Sequence, residues 1–118
     1  MKKSIVRDKS KVFALSIINL YKHLTTKKEY VISKQILRSG TSIGANVNEA
    51  LCSISKKEYL SKMYISYKEA SESQYWLELL KESNYINECE FDYLNKKCEE
   101  LRRILSSITK TTRESLNS

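Results

Sequence analysis

Apolar side chains recur every three or four positions along most of the chain, the spacing of one face of an α-helix. Phe13, Ile17, Leu20 and Leu24 form the first such face and predict a helix over 9–24. Residues 25–30 are polar and read as a connection. Ile36, Gly40, Ile43, Val47 and Ala50 predict a second helix over 32–51, with Ser33 placed to cap it. Beside that stripe runs another, Gln35, Ser39, Ser42, Asn46 and Glu49, polar but without Lys or Arg. A solvated helix face mixes Lys with Glu, so this row predicts a packed, hydrogen-bonded seam. Ser55 followed by Glu58 has capping-box spacing and opens a third helix over 56–83. Its expected core stripe is Tyr59, Met63, Tyr67, Ala70, Gln74 and Leu77, flanked by Glu69, Ser73, Trp76 and Leu80. After a turn at 84–87, Phe91, Leu94, Cys98, Leu101, Leu105 and Ile108 alternate by three and four, a heptad seam for a fourth helix over 88–112.

The chain has 118 residues, no proline and two glycines, Gly40 and Gly44. A β-rich domain uses many Gly- and Pro-containing turns. Their scarcity points to long helices with short connections, hence an all-α, antiparallel up-and-down four-helix bundle. One domain is expected over 1–118, with 1–8 and 112–118 as frayed termini. Mid-helix glycines cost about 1 kcal/mol each relative to Ala, so Gly40 and Gly44 imply a closely approaching neighbour. No apolar run approaches the roughly 20 residues that span a bilayer, and no apolar signal core follows the basic N-terminus. A cytoplasmic protein without membrane contact is the expectation. Cys52, Cys89 and Cys98 are odd in number and lack Cys-x-x-Cys spacing, so they read as free thiols, with Cys98 in the core.

Catalytic chemistry finds little support. The one histidine, His23, has no ligand-spaced partner, and there is no nucleophile elbow or phosphate-cradling glycine loop. Glu49, Glu69, Glu72 and Glu78 lie on the two central helices, where a bundle can hold two metal ions. Such a site also takes a Glu-x-x-His from each of two helices, and this chain has none. A non-enzyme without metal or cofactor is expected, with Glu49 satisfied by Ser, Asn, Tyr or Lys groups of neighbouring helices.

Charge and aromatic residues carry more. Residues 1–38 hold ten Lys or Arg against Asp8 and Glu29, whereas 39–118 hold eleven basic and twelve acidic residues. Arg7, Lys9, Lys11, Lys22, Lys27, Lys28 and Arg38 are therefore candidate nucleic-acid contacts. A solubilising face would have the same charge. Eight tyrosines are many for this length, and Tyr59, Tyr64, Tyr67 and Tyr75 crowd the third helix beside Trp76. A helix with tyrosines around most of its circumference is hard to bury in one small protomer. Tyr64, Tyr75 and Trp76 are the candidate oligomer interface.

The stretch Gln35-Ile36-Leu37-Arg38-Ser39-Gly40-Thr41-Ser42-Ile43-Gly44-Ala45-Asn46-Val47-Asn48-Glu49-Ala50 resembles the signature of the bacterial four helix bundle protein family, first noted in intervening sequences of large-subunit ribosomal RNA genes. Lys68 to Leu80 is similar to the family's third-helix segment, which ends in Trp-Leu-x-Leu-Leu. Gly44 stands where many members have Pro, Ala50 where many have Gly, and Lys28-Glu29-Tyr30 where many have Phe-Pro. The resemblance implies a homopentameric barrel and kinship with the accessory variability protein of diversity-generating retroelements, a basic pentamer that binds nucleic acid and a reverse transcriptase. It implies that Ser42, Asn46 and Glu49, with Ser39, Glu69 and Glu78 beside them, are a structural polar motif.

Two functions remain open on the sequence. One is a homo-oligomeric module that binds RNA or DNA through the basic N-terminal third. The other is a scaffold that binds another protein and no nucleic acid.

Overall fold

The computed structural model describes residues 4–117. Four helices, α1 (Ile5–Thr26), α2 (Ile32–Leu51), α3 (Lys56–Glu82) and α4 (Glu88–Asn117), form an antiparallel up-and-down bundle of 50 × 24 × 21 Å. Each packs on the next, and α4 returns to α1, where the contact is by far the thinnest. Among the described residues no helix is long and apolar enough to cross a membrane.

The chain ends its helices without proline or turn glycine. Lys28 and Asn84 take left-handed backbone angles, with φ of 64° and 67°. After α1, Glu29 N–H donates to the Leu24 carbonyl and Lys28 N–H to Thr25; after α3, Tyr85 N–H donates to Leu80 and Asn84 N–H to Lys81. Both are Schellman closures, which satisfy the last carbonyls of a helix. Asn tolerates this conformation well, whereas Lys meets a steric cost there. At the helix starts, Ser55 accepts from Glu58 N–H as the capping box predicts. Asn87 and Glu90 cap α4 reciprocally, each side chain accepting from the other's backbone N–H.

Three local expectations change. α1 begins at Ile5 rather than at Lys9, because Ser4 accepts from Arg7 N–H and Val6 is buried. α4 runs to Asn117, past the expected fraying point at 112; Thr109 is buried, and Lys56 donates to the Ser115 hydroxyl. Of the segments expected to fray, residues 1–3 and 118 lie outside the described residues. Ser33 does not cap α2. Glu29 takes that role, its carboxylate accepting from Ser33 N–H at 2.6 Å and Val31 N–H at 3.3 Å. The Ser33 hydroxyl is fully buried without a hydrogen-bond partner.

The core face of α3 is also rotated from its expected position. Met63, Ser66, Ala70, Ser73, Leu77 and Leu80 are buried, whereas Tyr67 and Gln74 sit at its edge. α3 lies between α2 and α4, and small serines let α2 come close. Ser66 donates to the Ile43 carbonyl at 2.8 Å, and the Ser73 and Ser39 hydroxyls are 2.9 Å apart. Such bonds offset the desolvation of buried hydroxyls. The α4 seam is as expected, with Leu94, Cys98, Leu101 and Leu105 buried and Phe91 and Ile108 half-buried.

Gly40 and Gly44 have the expected close neighbour, α1. A methyl group on Gly40 would lie 2.9 Å from both γ-carbons of Ile17, and one on Gly44 would lie 3.2 Å from the Ser10 hydroxyl. Ile17 is fully buried and β-branched, so its χ1 cannot rotate away. Gly40→Ala is therefore expected to lose about 1–3 kcal/mol by overpacking, although Ala has the better helix propensity. Gly44→Ala should cost less, because its nearest neighbour, the Ser10 hydroxyl, stands farther off at 3.2 Å. Urea denaturation midpoints compare the two, and a more stable Gly40→Ala protein would contradict this packing.

Cys98 is fully buried, and its thiol donates to the Ala70 carbonyl at 3.2 Å. Burial, with the Glu99 charge adding to it, pushes the thiol up to about 12. Cys52 and Cys89 are exposed. A disulfide reagent at pH 8 should thus titrate two thiols quickly in the native protein and the third only after unfolding. Rapid reaction of all three would mean that the core opens around Cys98.

Candidate functional site

The polar stripe of α2 faces the groove towards α3. Ser39 alone of its members is buried and bonded across helices. Ser42 donates to the Arg38 carbonyl and Asn46 to the Ser42 carbonyl, so both bond within their own helix. Glu49 is exposed and pairs with Lys62 of α3 at 3.3 Å, a Lys partner from a neighbouring helix as expected. The row is thus a half-open groove in the protomer and a packed seam only at Ser39.

Further along the same groove, Arg38 donates to Glu69 at 3.1 Å and to Glu72. The Trp76 indole N–H donates to that Glu72 carboxylate at 2.9 Å. Arg38 is therefore neutralised by two carboxylates. Trp76 is held half-buried against the core, while Tyr64 and Tyr75 face outwards and Glu78 is exposed.

The basic residues of the N-terminal third do not meet in one patch. Arg7, Lys9 and Lys11 stand near the start of α1, and Lys22, Lys27 and Lys28 at its end. At 1.5 Å per residue, Arg7 and Lys28 are about 30 Å apart along the axis. Several have partners. Arg7 donates to Asn48 at 3.1 Å, Lys9 pairs with Glu100 at 3.1 Å, and Lys27 donates to the Tyr85 carbonyl at 2.9 Å. Lys11, Lys22 and Lys28 are exposed.

Folding redistributes the charge. The start of α1, the end of α2, the start of α3 and the end of α4 share one end of the bundle, as the Arg7–Asn48, Lys9–Glu100, Glu49–Lys62 and Lys56–Ser115 contacts show. Residues 4–12, 43–69 and 100–117, which make up that half, hold eleven Lys or Arg and six Asp or Glu. The other half holds eight of each, but unevenly: 13–42 have five basic and one acidic, 70–99 three basic and seven acidic. The first half is net basic, through α1, α3 and α4, and the second is polarised across the bundle. Lys56, Lys57, Lys68, Lys110 and Arg113 add to the basic end and were missed by linear charge counting, because acidic neighbours in sequence cancel them.

The thin α1–α4 contact leaves clefts of about 200 and 320 Å³. Val12 lines one and Tyr93 the other, 50% and 59% exposed. Leu15, 54% exposed, also belongs to the outer surface of α1. Among the described residues, no three His, Cys, Asp or Glu side chains are grouped to hold a metal ion.

Between α3 and α4, Glu99 accepts from Arg102 at 2.7 and 3.0 Å, from Gln74 at 2.7 Å and from Arg103 at 3.2 Å. The Arg102 bonds, then the Gln74 bond, hold the Glu99 carboxyl down at about 2. Because the folded value lies below the ordinary 4.5, the resulting stability is present above that value and is lost as pH falls from about 4.5 to about 2. Glu99→Gln should cost about 1 kcal/mol at pH 7 and flatten the acid limb of a stability–pH curve. An unchanged acid limb would show that the cluster does not couple to folding.

Similar proteins agree with this architecture. A crystal structure of a protein of unknown function from the S23 ribosomal protein family of Bacteroides thetaiotaomicron is 48% identical to this chain. It superposes with a TM-score of 0.89, covering 90% of this chain and 99% of the other. No curated protein matches. The model of the 23S rRNA-intervening sequence protein family matches residues 2–107, and the chain belongs to that family.

Proposed function

We propose that this protein is a non-catalytic, homo-oligomeric module that binds nucleic acid. The observation that carries the reading is the charge partition, which gathers basic residues from α1, α3 and α4 at one end of the bundle. A concentrated positive field attracts a polyanion, and the binding energy comes largely from released counterions. Self-association is supported by the exposed Val12, Leu15 and Tyr93 and by the polarised half. There the basic α1–α2 flank of one copy complements the acidic α3–α4 flank of the next. Such head-to-tail contacts close into rings when the rotation allows.

Light scattering on a size-exclusion column, after nuclease treatment, should give a mass several times 13.8 kDa. Five copies is the number the family resemblance implies. Anisotropy of a labelled single-stranded oligonucleotide should then show affinity falling steeply between 50 and 200 mM salt, since each neutralised phosphate contributes about −0.7 to the log–log slope. A monomer would overturn the oligomeric part, and absence of binding at 50 mM salt would overturn the nucleic-acid part. Recovery of one nuclease-insensitive protein partner, with no oligonucleotide binding, would put the scaffolding reading in its place.

A further inference from the structure

We infer that the outer face of α3 around Tyr64, with the adjoining end of α4, is a binding site for single-stranded nucleic acid. In this site one base stacks on the Tyr64 ring, and Lys57, Lys68, Lys110 and Arg113 hold the flanking phosphates. The inference rests on the nucleic-acid reading above and gives it a location which the linear charge of the N-terminal third did not indicate.

Three observations carry it. Tyr64 is 41% exposed, and its ring is already part of a stack, with Tyr67 at 6.1 Å between centroids and 18° between planes. Tyr67 is half-buried against the core, so Tyr64 is backed by a fixed ring and not left to swing in solvent. Two cations lie over it, Lys68 Nζ 5.1 Å from the ring centroid and the Arg113 guanidinium 5.9 Å, and a stacking base takes their place on the ring while they move to its phosphates. Lys57 stands seven residues before Tyr64 and Lys68 four after it, on one stripe of the helix, and Lys110 is a turn before Arg113 on α4.

Ion pairing separates these cations from their rivals. Lys9 and Arg38 have carboxylate partners. Among the described residues, Lys57, Lys68, Lys110 and Arg113 form no ion pair with a carboxylate. A phosphate reaching them displaces no protein anion. The stripe on α1 that joins Lys11 to Lys22 has Leu15 between them and no aromatic ring. Aromatic platforms among unpaired cations are the pattern of sequence-tolerant single-strand binding, where each stacked base contributes about 1–3 kcal/mol. A duplex keeps its bases stacked inside and offers Tyr64 no partner, so the site prefers single strands.

The test uses the full-length protein and a fluorescein-labelled dT15, with a 15-base-pair duplex as competitor. Tyr64→Ala should weaken dT15 binding about tenfold, and Tyr64→Phe, which keeps the stacking face, should bind as the parent does. Lys68→Gln with Arg113→Gln should weaken binding and make the salt slope shallower by about 1 to 2. Lys22→Gln with Lys28→Gln, at the other end of the bundle in the flank assigned to ring contacts, should leave binding unchanged in samples whose light-scattering mass matches the parent's. Circular dichroism and the light-scattering mass confirm that each variant keeps its fold and assembly. If the parent binds dT15 with a steep salt slope but Tyr64→Ala binds equally well, or the Lys22 and Lys28 changes remove binding while the assembly mass is unchanged, the site is wrong and the broader reading stands. A duplex that competes as well as the single strand also overturns the site. A parent protein that does not bind either probe at 50 mM salt overturns both.

Discussion

The bundle depends on how closely α1 can approach α2. Ile17 fills the space that a side chain at Gly40 would need, and Ser10 does the same at Gly44. Two glycines in a helix interior weaken that helix, and the close approach turns the cost into packed contact. With α1 drawn against α2, and α2 drawn against α3 by Ser39, Ser66 and Ser73, three helices are tightly joined. α4 packs through its heptad seam on α3 and reaches α1 only thinly. The open edge follows from that asymmetry: the small residues that permit closeness are on α1, α2 and α3, and the α1–α4 boundary has bulky or charged side chains such as Val12, Lys97, Tyr93 and Glu100.

Antiparallel packing then decides where charge goes. The second half of α3 and the first half of α4 are adjacent in sequence and acidic, and folding keeps them together. The first half of α3 and the second half of α4 are about 40 residues apart in sequence and basic, and folding brings them together beside the start of α1. The acidic grouping is visible in a running sum along the chain, but the basic one is not. Three of the six carboxylates within the basic half are answered: Glu49 by Lys62, Glu69 by Arg38 and Glu100 by Lys9. These pairs are exposed and contribute little stability individually. Their effect is to leave other cations, near Tyr64, without a carboxylate.

Periodicity made the fold readable. The apolar positions of α1, α2 and α4 are as the spacing predicts, because one face of each is plainly apolar and the other plainly polar. α3 resists such reading. Its buried face includes Ser66 and Ser73, its exposed face includes Tyr64 and Tyr75, and only the neighbouring carbonyls and hydroxyls reveal why serine suits the interior. The same difficulty applies to Ser33, whose place near the helix start suggests a cap. A buried Glu29 on the far side of a left-handed Lys28 takes the N–H groups instead, and no local pattern announces that. For the candidate site, sequence identified the tyrosine-rich helix and the general basicity. It could not pair Tyr64 with Arg113, forty-nine residues away, which the α3–α4 register alone brings to one ring.

The proposed surfaces are compatible because they lie on different parts of the protomer. Ring contacts through the α1–α4 edge and the acidic flank of residues 70–99 would use the second half of α3 and leave its first half, where Tyr64 stands, uncovered. Each copy would then present one Tyr64 platform outward, repeated around the assembly. A single platform with a few phosphate contacts binds weakly. Once one segment of a strand is held, the next platform meets a neighbouring segment at high effective concentration, and affinity rises by orders of magnitude without any new type of contact. On this reading oligomerisation is what makes a small, modestly basic bundle an effective nucleic-acid binder. It also explains why the protomer needs no deep pocket: sequence-tolerant recognition of a flexible polyanion is achieved by repeating a shallow site.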